Sequence, residues 1–320
     1  MELRNVFINS AGRLRSGWRL LIFLLVYIAL LFFFGSVSRI IYVMVLQIVP
    51  SPRLGTYLDS LLFRLTWLAA ALVAGLICTR WLEGLPFRAI GLWLHKGWLR
   101  DLLVGSGIGI ASLALATGIA AAGGGLTFRA FARGELSQVV KALVASAVLF
   151  VIAALAEEVF ARGYPLQTMS RAGLAGLGVV ITSVAFAGLH FANPNFSKGL
   201  PLVNLILAGV WFAVAYLRTR SLWFPLGIHW AWNWALGSLF GLPVSGKALV
   251  QHSLFHGTDW GPAWLTGGDF GIEGGIACTI TLILSTIFIW RTKLISATEE
   301  MKRLTSQENP VVTSRSEPPA

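Results

Sequence analysis

Residues Val139–Ala161 read VVKALVASAVLFVIAALAEEVFA. A helix needs about 20 predominantly apolar residues to cross a hydrocarbon core of about 30 Å. This stretch carries charge only at Lys141, near its start, and at Glu157-Glu158, near its end. It predicts a membrane-spanning helix with an acidic pair inside it. Charged groups within a bilayer are costly enough to mark function. Seven further segments share the apolar pattern: Trp18–Leu46, Leu58–Ile77, Leu102–Ala122, Leu174–His190, Pro201–Leu217, Leu222–Leu242 and Ile272–Trp290. The predicted fold class is all-α: a polytopic integral membrane protein of about eight transmembrane helices, with its active site inside the helix bundle.

Composition agrees. The 320 residues are 56% hydrophobic and 12% charged, with a mean hydropathy of +0.74. Soluble domains carry about 25% charged residues. That excludes a cytosolic enzyme, a disordered chain and a conventional nucleic-acid binder. The net charge of +11 reads as basic loops held at a cytoplasmic face and its anionic lipids. With the N-terminus inside, 17 of the 25 basic residues fall on inner segments and six on outer loops. Both termini are therefore expected in the cytoplasm, with a bacterial plasma membrane as the setting.

Other features organise the chain. The first span is too long for a signal-peptide core and reads as a retained anchor. Pro86–Asp101, which contains His95, reads as an interfacial stretch. Gly105, Gly107 and Gly109 fit close helix packing. Cys78 and Cys278 lie at opposite membrane faces, too far apart to bridge. The chain divides into N-terminal helices with an interfacial segment (1–138), four candidate catalytic helices (139–243), an outer loop with the last span (244–295) and a polar tail (296–320) expected to be disordered.

The chemistry-bearing residues form three patterns on three of the four candidate helices. Glu158 and Arg162 are i,i+4 neighbours with the acid on the favourable N-terminal side. Arg162 is expected to neutralise Glu158, and Glu157, about 100° away, to face a cavity. Phe186 and His190 share a helix face, as do His229 and Asn233. Each pattern alone is also compatible with an ion pair or an interhelical hydrogen bond. Counted from the inner turns, Glu157, His190 and His229 lie at depths of about 18, 26 and 12 Å, so they can meet if helices tilt or kink. His252 and His256, near Asp259, have metal-like spacing but sit in an outer loop and read as incidental.

Taken in order, Glu157-Glu158-x-x-x-Arg162, Phe186-x-x-x-His190 and His229-x-x-x-Asn233 resemble the CAAX protease and bacteriocin-processing enzyme family, the ABI intramembrane endopeptidases. They are similar in particular to type II CAAX prenyl endopeptidases. The approach to the third motif, Leu217–His229, is similar too, and the resemblance covers residues 139–243. It implies that Glu157 activates water as general base, that His190 helps hold and polarise that water, and that His229 and Asn233 stabilise the oxyanion. Glu158, Arg162 and Phe186 are implied as supporting residues. The family is described both as metalloproteases and as glutamic proteases; Asn233 is a poor zinc ligand and no His-Glu-x-x-His motif is present, so the residues favour no catalytic metal, the alternative being zinc on Glu157, His190 and His229. The implied partners are membrane lipids and a peptide or membrane-protein substrate, prenylated or not, and no nucleic acid. Two rival readings use the same residues: a non-enzymatic scaffold or immunity protein of the same fold, and a proton-relay transporter.

Overall fold

The structure, a computed structural model, describes residues 4–10 and 12–306. A single-turn helix, α1 (Arg4–Phe7), precedes a long hairpin of α2 (Ser16–Ile48) and α3 (Pro52–Glu83). The Ser51 hydroxyl accepts the Leu54 N–H at 3.3 Å, and Pro52 opens α3, a start that satisfies one of the unpaired first-turn donors. Gly84, at φ 64°, stops the helix in a left-handed conformation. The outer face of α2 is bare among the described residues, with Phe32 74% exposed and Ile48 79%, as suits a surface turned to lipid.

After α4 (Trp98–Ala122) and a short strand β1 (Leu126–Ala130) comes α5 (Leu136–Glu158). It runs through a π-helical turn, Val159–Gly163, into α6 (Tyr164–Arg171). Then follow α7 (Ala175–Gly188), α8 (Leu200–Thr219) and α9 (Trp223–Trp234), the last continued by a second π-turn, Ala235–Leu239. Strand β2 (Phe255–Asp259) pairs antiparallel with β1, Leu126 opposite Asp259 and Ala130 opposite Phe255. The chain closes with α10 (Ala263–Thr266), α11 (Ile276–Arg291) and α12 (Glu299–Leu304).

The protein is thus an all-α membrane bundle with one small two-stranded sheet among the described residues. Among the described residues, five helices are long and apolar enough to cross a membrane: Ser16–Ile48, Leu54–Glu83, Trp98–Ala122, Arg133–Arg171 and Leu200–Thr219. The other three expected spans are shorter helices. Leu174–His190 is helical only to Gly188; His190 and Phe191 bond back three residues, in a tighter turn, before Pro194. Leu222–Leu242 ends in its π-turn. Ile272–Trp290 becomes α-helical only at Ile276, because Gly271, Gly274 and Gly275 surround a tight turn at its start.

Close packing around α9 places the site. A Cβ on Gly105 of α4 would stand 2.3 Å from the Phe224 carbonyl oxygen, and one on Gly109 2.5 Å from that of Ile228. Gly227 of α9 returns the contact: its Cβ would meet the Leu102 carbonyl oxygen at 2.3 Å. Gly107 faces open space, so two of the three expected packing glycines touch α9. Small residues at such a crossing let the backbones approach.

Two sequence expectations change, for the tail and for His95, and the core runs through both segment boundaries. The core is continuous across residue 138: Phe23, Tyr27 and Ala74 share one cluster with Val159, Tyr164 and Tyr216. The boundary at 243 is crossed in the same way by Trp232 and Phe270. The tail expected to be disordered from Ser296 is ordered over 296–306, where Met301 is buried and Arg220 donates to the Thr305 carbonyl at 2.9 Å; residues 307–320 lie outside the described residues. His95 is buried rather than interfacial, 2.9 Å from the Ser221 hydroxyl. Leu222 N–H donates to the Gly91 carbonyl, folding this segment beneath the α8–α9 turn. Cys78 and Cys278 are both buried free thiols.

Candidate active site

Arg162 lies on the π-turn that follows α5, fully buried. Its guanidinium donates to Glu158 at 3.1 Å and to the Gly209 carbonyl of α8 at 2.8 Å. The rings of Phe186 and Phe212 lie 4.8 and 5.3 Å from its Cζ, within cation–π range. Gly209 itself has no room for a side chain, since a Cβ would stand 2.6 Å from Ser183 of α7. The buried carboxylate of Glu158 thus has the matched charge that burial demands.

Glu158 also reaches α9. Its Oε1 lies 2.9 Å from Nδ1 of His229. A carboxylate can only accept, so Nδ1 carries the hydrogen and donates. The imidazole is stacked on Phe212 at 4.5 Å and 16°, and Phe186 meets it edge-on at 5.8 Å. One nitrogen and one ring face are therefore fixed, and Nε2 points at Glu157. The Glu157 carboxylate oxygen Oε2 lies 3.7 Å from Nε2 and accepts no hydrogen bond among the described residues. That separation is too long for a direct hydrogen bond. The field of Glu157 also reaches Arg64 of α3 and Lys247. Partial burial lowers the Lys247 ammonium pKa, and Glu157 opposes that shift.

Residues 139–235 match the family model of Rce1-like type II CAAX prenyl endopeptidases. The matched segment holds every motif residue from Glu157 to Asn233, and it bears out the family resemblance. It suggests intramembrane protease activity. No curated protein and no solved structure matches the chain.

Within the Rce1-like segment, His190, His229 and Asn233 line one cavity of about 30 Å³. A water needs roughly 10–15 Å³ by the same measure. Nδ1 of His190 lies 2.9 Å from the Phe186 carbonyl; donating there, it leaves Nε2 as an acceptor. Glu157 does not line this cavity and meets the group through Nε2 of His229. Both π-turns lie beside the motifs, one directly after Glu158 and one starting two residues after Asn233. Such turns recur at functional sites, where they re-aim a helix.

Sequence reasoning missed part of the wall. Asn204, Ser245 and Glu273 line the same cavity. Residues 159–258 contain no carboxylate, but the site draws on Glu273 beyond them. Among the described residues, no three His, Cys, Asp or Glu side chains gather closely enough to hold a metal ion. His256 lies 4.0 Å from Glu135.

Proposed function

We propose that the chain is an intramembrane endopeptidase that hydrolyses a peptide bond in or beside the bilayer with a Glu157-activated water. The observation that carries this reading is the arrangement at His229, with Nδ1 held by Glu158 and Nε2 3.7 Å from Glu157. Glu157 takes a proton from water, and the resulting hydroxide attacks the carbonyl carbon. His190 orients that water through Nε2. His229, with hydrogen on both ring nitrogens, donates Nδ1–H to Glu158 and Nε2–H to the oxyanion, which also receives the Asn233 amide. Protonated Glu157 then returns its proton to the departing amine as the C–N bond breaks. Arg162 neutralises Glu158 throughout, and Phe186 packs the ring side of the site.

No step runs through a metal. The substrate is a peptide or membrane-protein segment, prenylated or not, in a bacterial plasma membrane with both termini of the enzyme cytoplasmic. The test compares new protein termini in membranes that hold the wild-type chain or Glu157→Gln at matched abundance. Fragments present only with the wild type are expected. Identical termini in both membranes would overturn the reading in favour of a non-enzymatic scaffold.

A further inference from the structure

We propose that Glu273 is a positioning residue for His229, acting from outside the three motifs. Glu273 sits in Gly271-Ile-Glu-Gly-Gly275, between the outer loop and α11. A carboxylate only accepts, and this one meets three donors. Trp232 Nε1–H donates to Oε1 at 2.9 Å. The Ser245 backbone N–H and its hydroxyl, the latter at 2.9 Å, both donate to Oε2. Glu273 thereby ties α9 to the turn that carries Ser245, at the wall of the cavity lined by His190, His229 and Asn233.

Trp232 is the first ring in a series that ends on His229. It meets Trp211 edge-on at 5.6 Å, Trp211 stacks on Phe212 at 5.2 Å, and Phe212 lies face to face with the His229 imidazole at 4.5 Å. Trp211 is pinned in turn by its Nε1–H to Ser285 at 3.0 Å. Interiors are packed to crystal density, so a tilt of one ring displaces the next. The chemistry at 273 also asks for an acid. Glutamine has one acceptor oxygen, and its amide would turn an N–H toward Trp232 or toward Ser245, where only an acceptor fits.

The bearing of this linkage on catalysis rests on the endopeptidase reading, but the linkage itself can be read directly from the imidazole. The experiment uses the full chain in detergent micelles with ¹⁵N-labelled histidine; the His229 ring signals are those lost in His229→Gln. Glu273→Gln and Trp232→Phe are expected to shift or broaden the His229 signals in the same direction. The double variant is expected to move them no further than the larger single effect, because two residues that act through one contact are not additive. Trp232→Phe keeps an aromatic ring and removes the N–H, so it carries the test if Glu273→Gln fails to fold. Wild-type His229 signals in every folded variant, or singles that sum in the double, would overturn the proposal. This readout is independent of cleavage: a silent Glu157→Gln would sink the endopeptidase reading and leave the linkage standing.

Discussion

Arg162 has Glu158 and the Gly209 carbonyl as acceptors and two aromatic rings within cation–π range. Removing one member of such a buried pair strands the other charge, at about 3–5 kcal/mol. Arg162→Ala is therefore expected to lower thermal stability by that order in a detergent melt, while Glu157→Gln, whose Oε2 has no donor among the described residues, melts near wild type. Asn233→Ala is expected to keep the wild-type melting temperature and slow cleavage by about 10²–10³, the usual cost of one oxyanion donor, read as initial rates on the cleaved substrate. Chelation is expected to leave those rates unchanged. At this scale much is legible in sequence. The i,i+4 geometry of Glu158 and Arg162 is local, so any helix imposes it. The bond from Glu158 to His229 is not legible, because it depends on how α5 is rotated against α9. Glu273 escapes notice for another reason: a lone carboxylate at the Gly-rich start of the Ile272–Trp290 run reads as an ordinary span end, and only the tertiary contact with Trp232 makes it part of the wall.

Helix α9 carries His229 and Asn233, and α4 sets how deep it lies. Gly105→Ala or Gly109→Ala places a methyl group within 2.5 Å of α9 backbone, where no flexible side-chain end can yield. Such overpacking typically costs about 1–3 kcal/mol. Both variants are expected to melt lower and to lose activity, because the displaced helix moves His229 away from Glu158. Gly107→Ala meets nothing within 4 Å and is expected to be neutral or stabilising by up to about 1 kcal/mol, since alanine favours a helix over glycine. Comparing the three melting temperatures checks the crossing. The glycine spacing makes some close approach legible; which two of the three glycines face α9 is a matter of helix rotation. The short α7 is less legible. Its apolar run continues past Gly188, and the end comes from a tightened turn before Pro194 rather than from any charge. The pairing of β1 with β2 is hidden as well, since Phe255–Asp259 lacks the alternation that marks a half-buried strand.

Taken whole, the molecule has a hairpin with an exposed apolar face, a core cavity walled by aromatic, aliphatic and polar side chains, and a β1–β2 cap. From the bias of basic residues we expect α12 in the cytoplasm and the β1–β2 cap outside. Trp260→Cys, on the cap at a position 73% exposed, is expected to react with a membrane-impermeant maleimide on intact cells. Glu299→Cys, on α12, is expected to react only after the membrane is opened. The two native thiols are buried and leave the background low. The reverse labelling pattern would invert the orientation. The cap has a further consequence, for the order in which the protein is made. Strand β1 precedes the motif helices in the chain and its partner β2 follows them. β2 also fastens the end of the second π-turn, through Leu254 N–H to the Ser238 carbonyl and Gly257 N–H to that of Phe240. A ribosome that has just added Asn233 has supplied every motif residue, yet the strand that closes the cap is still untranslated. The nascent chain thus carries all of its motif residues before the strand that closes the cap exists.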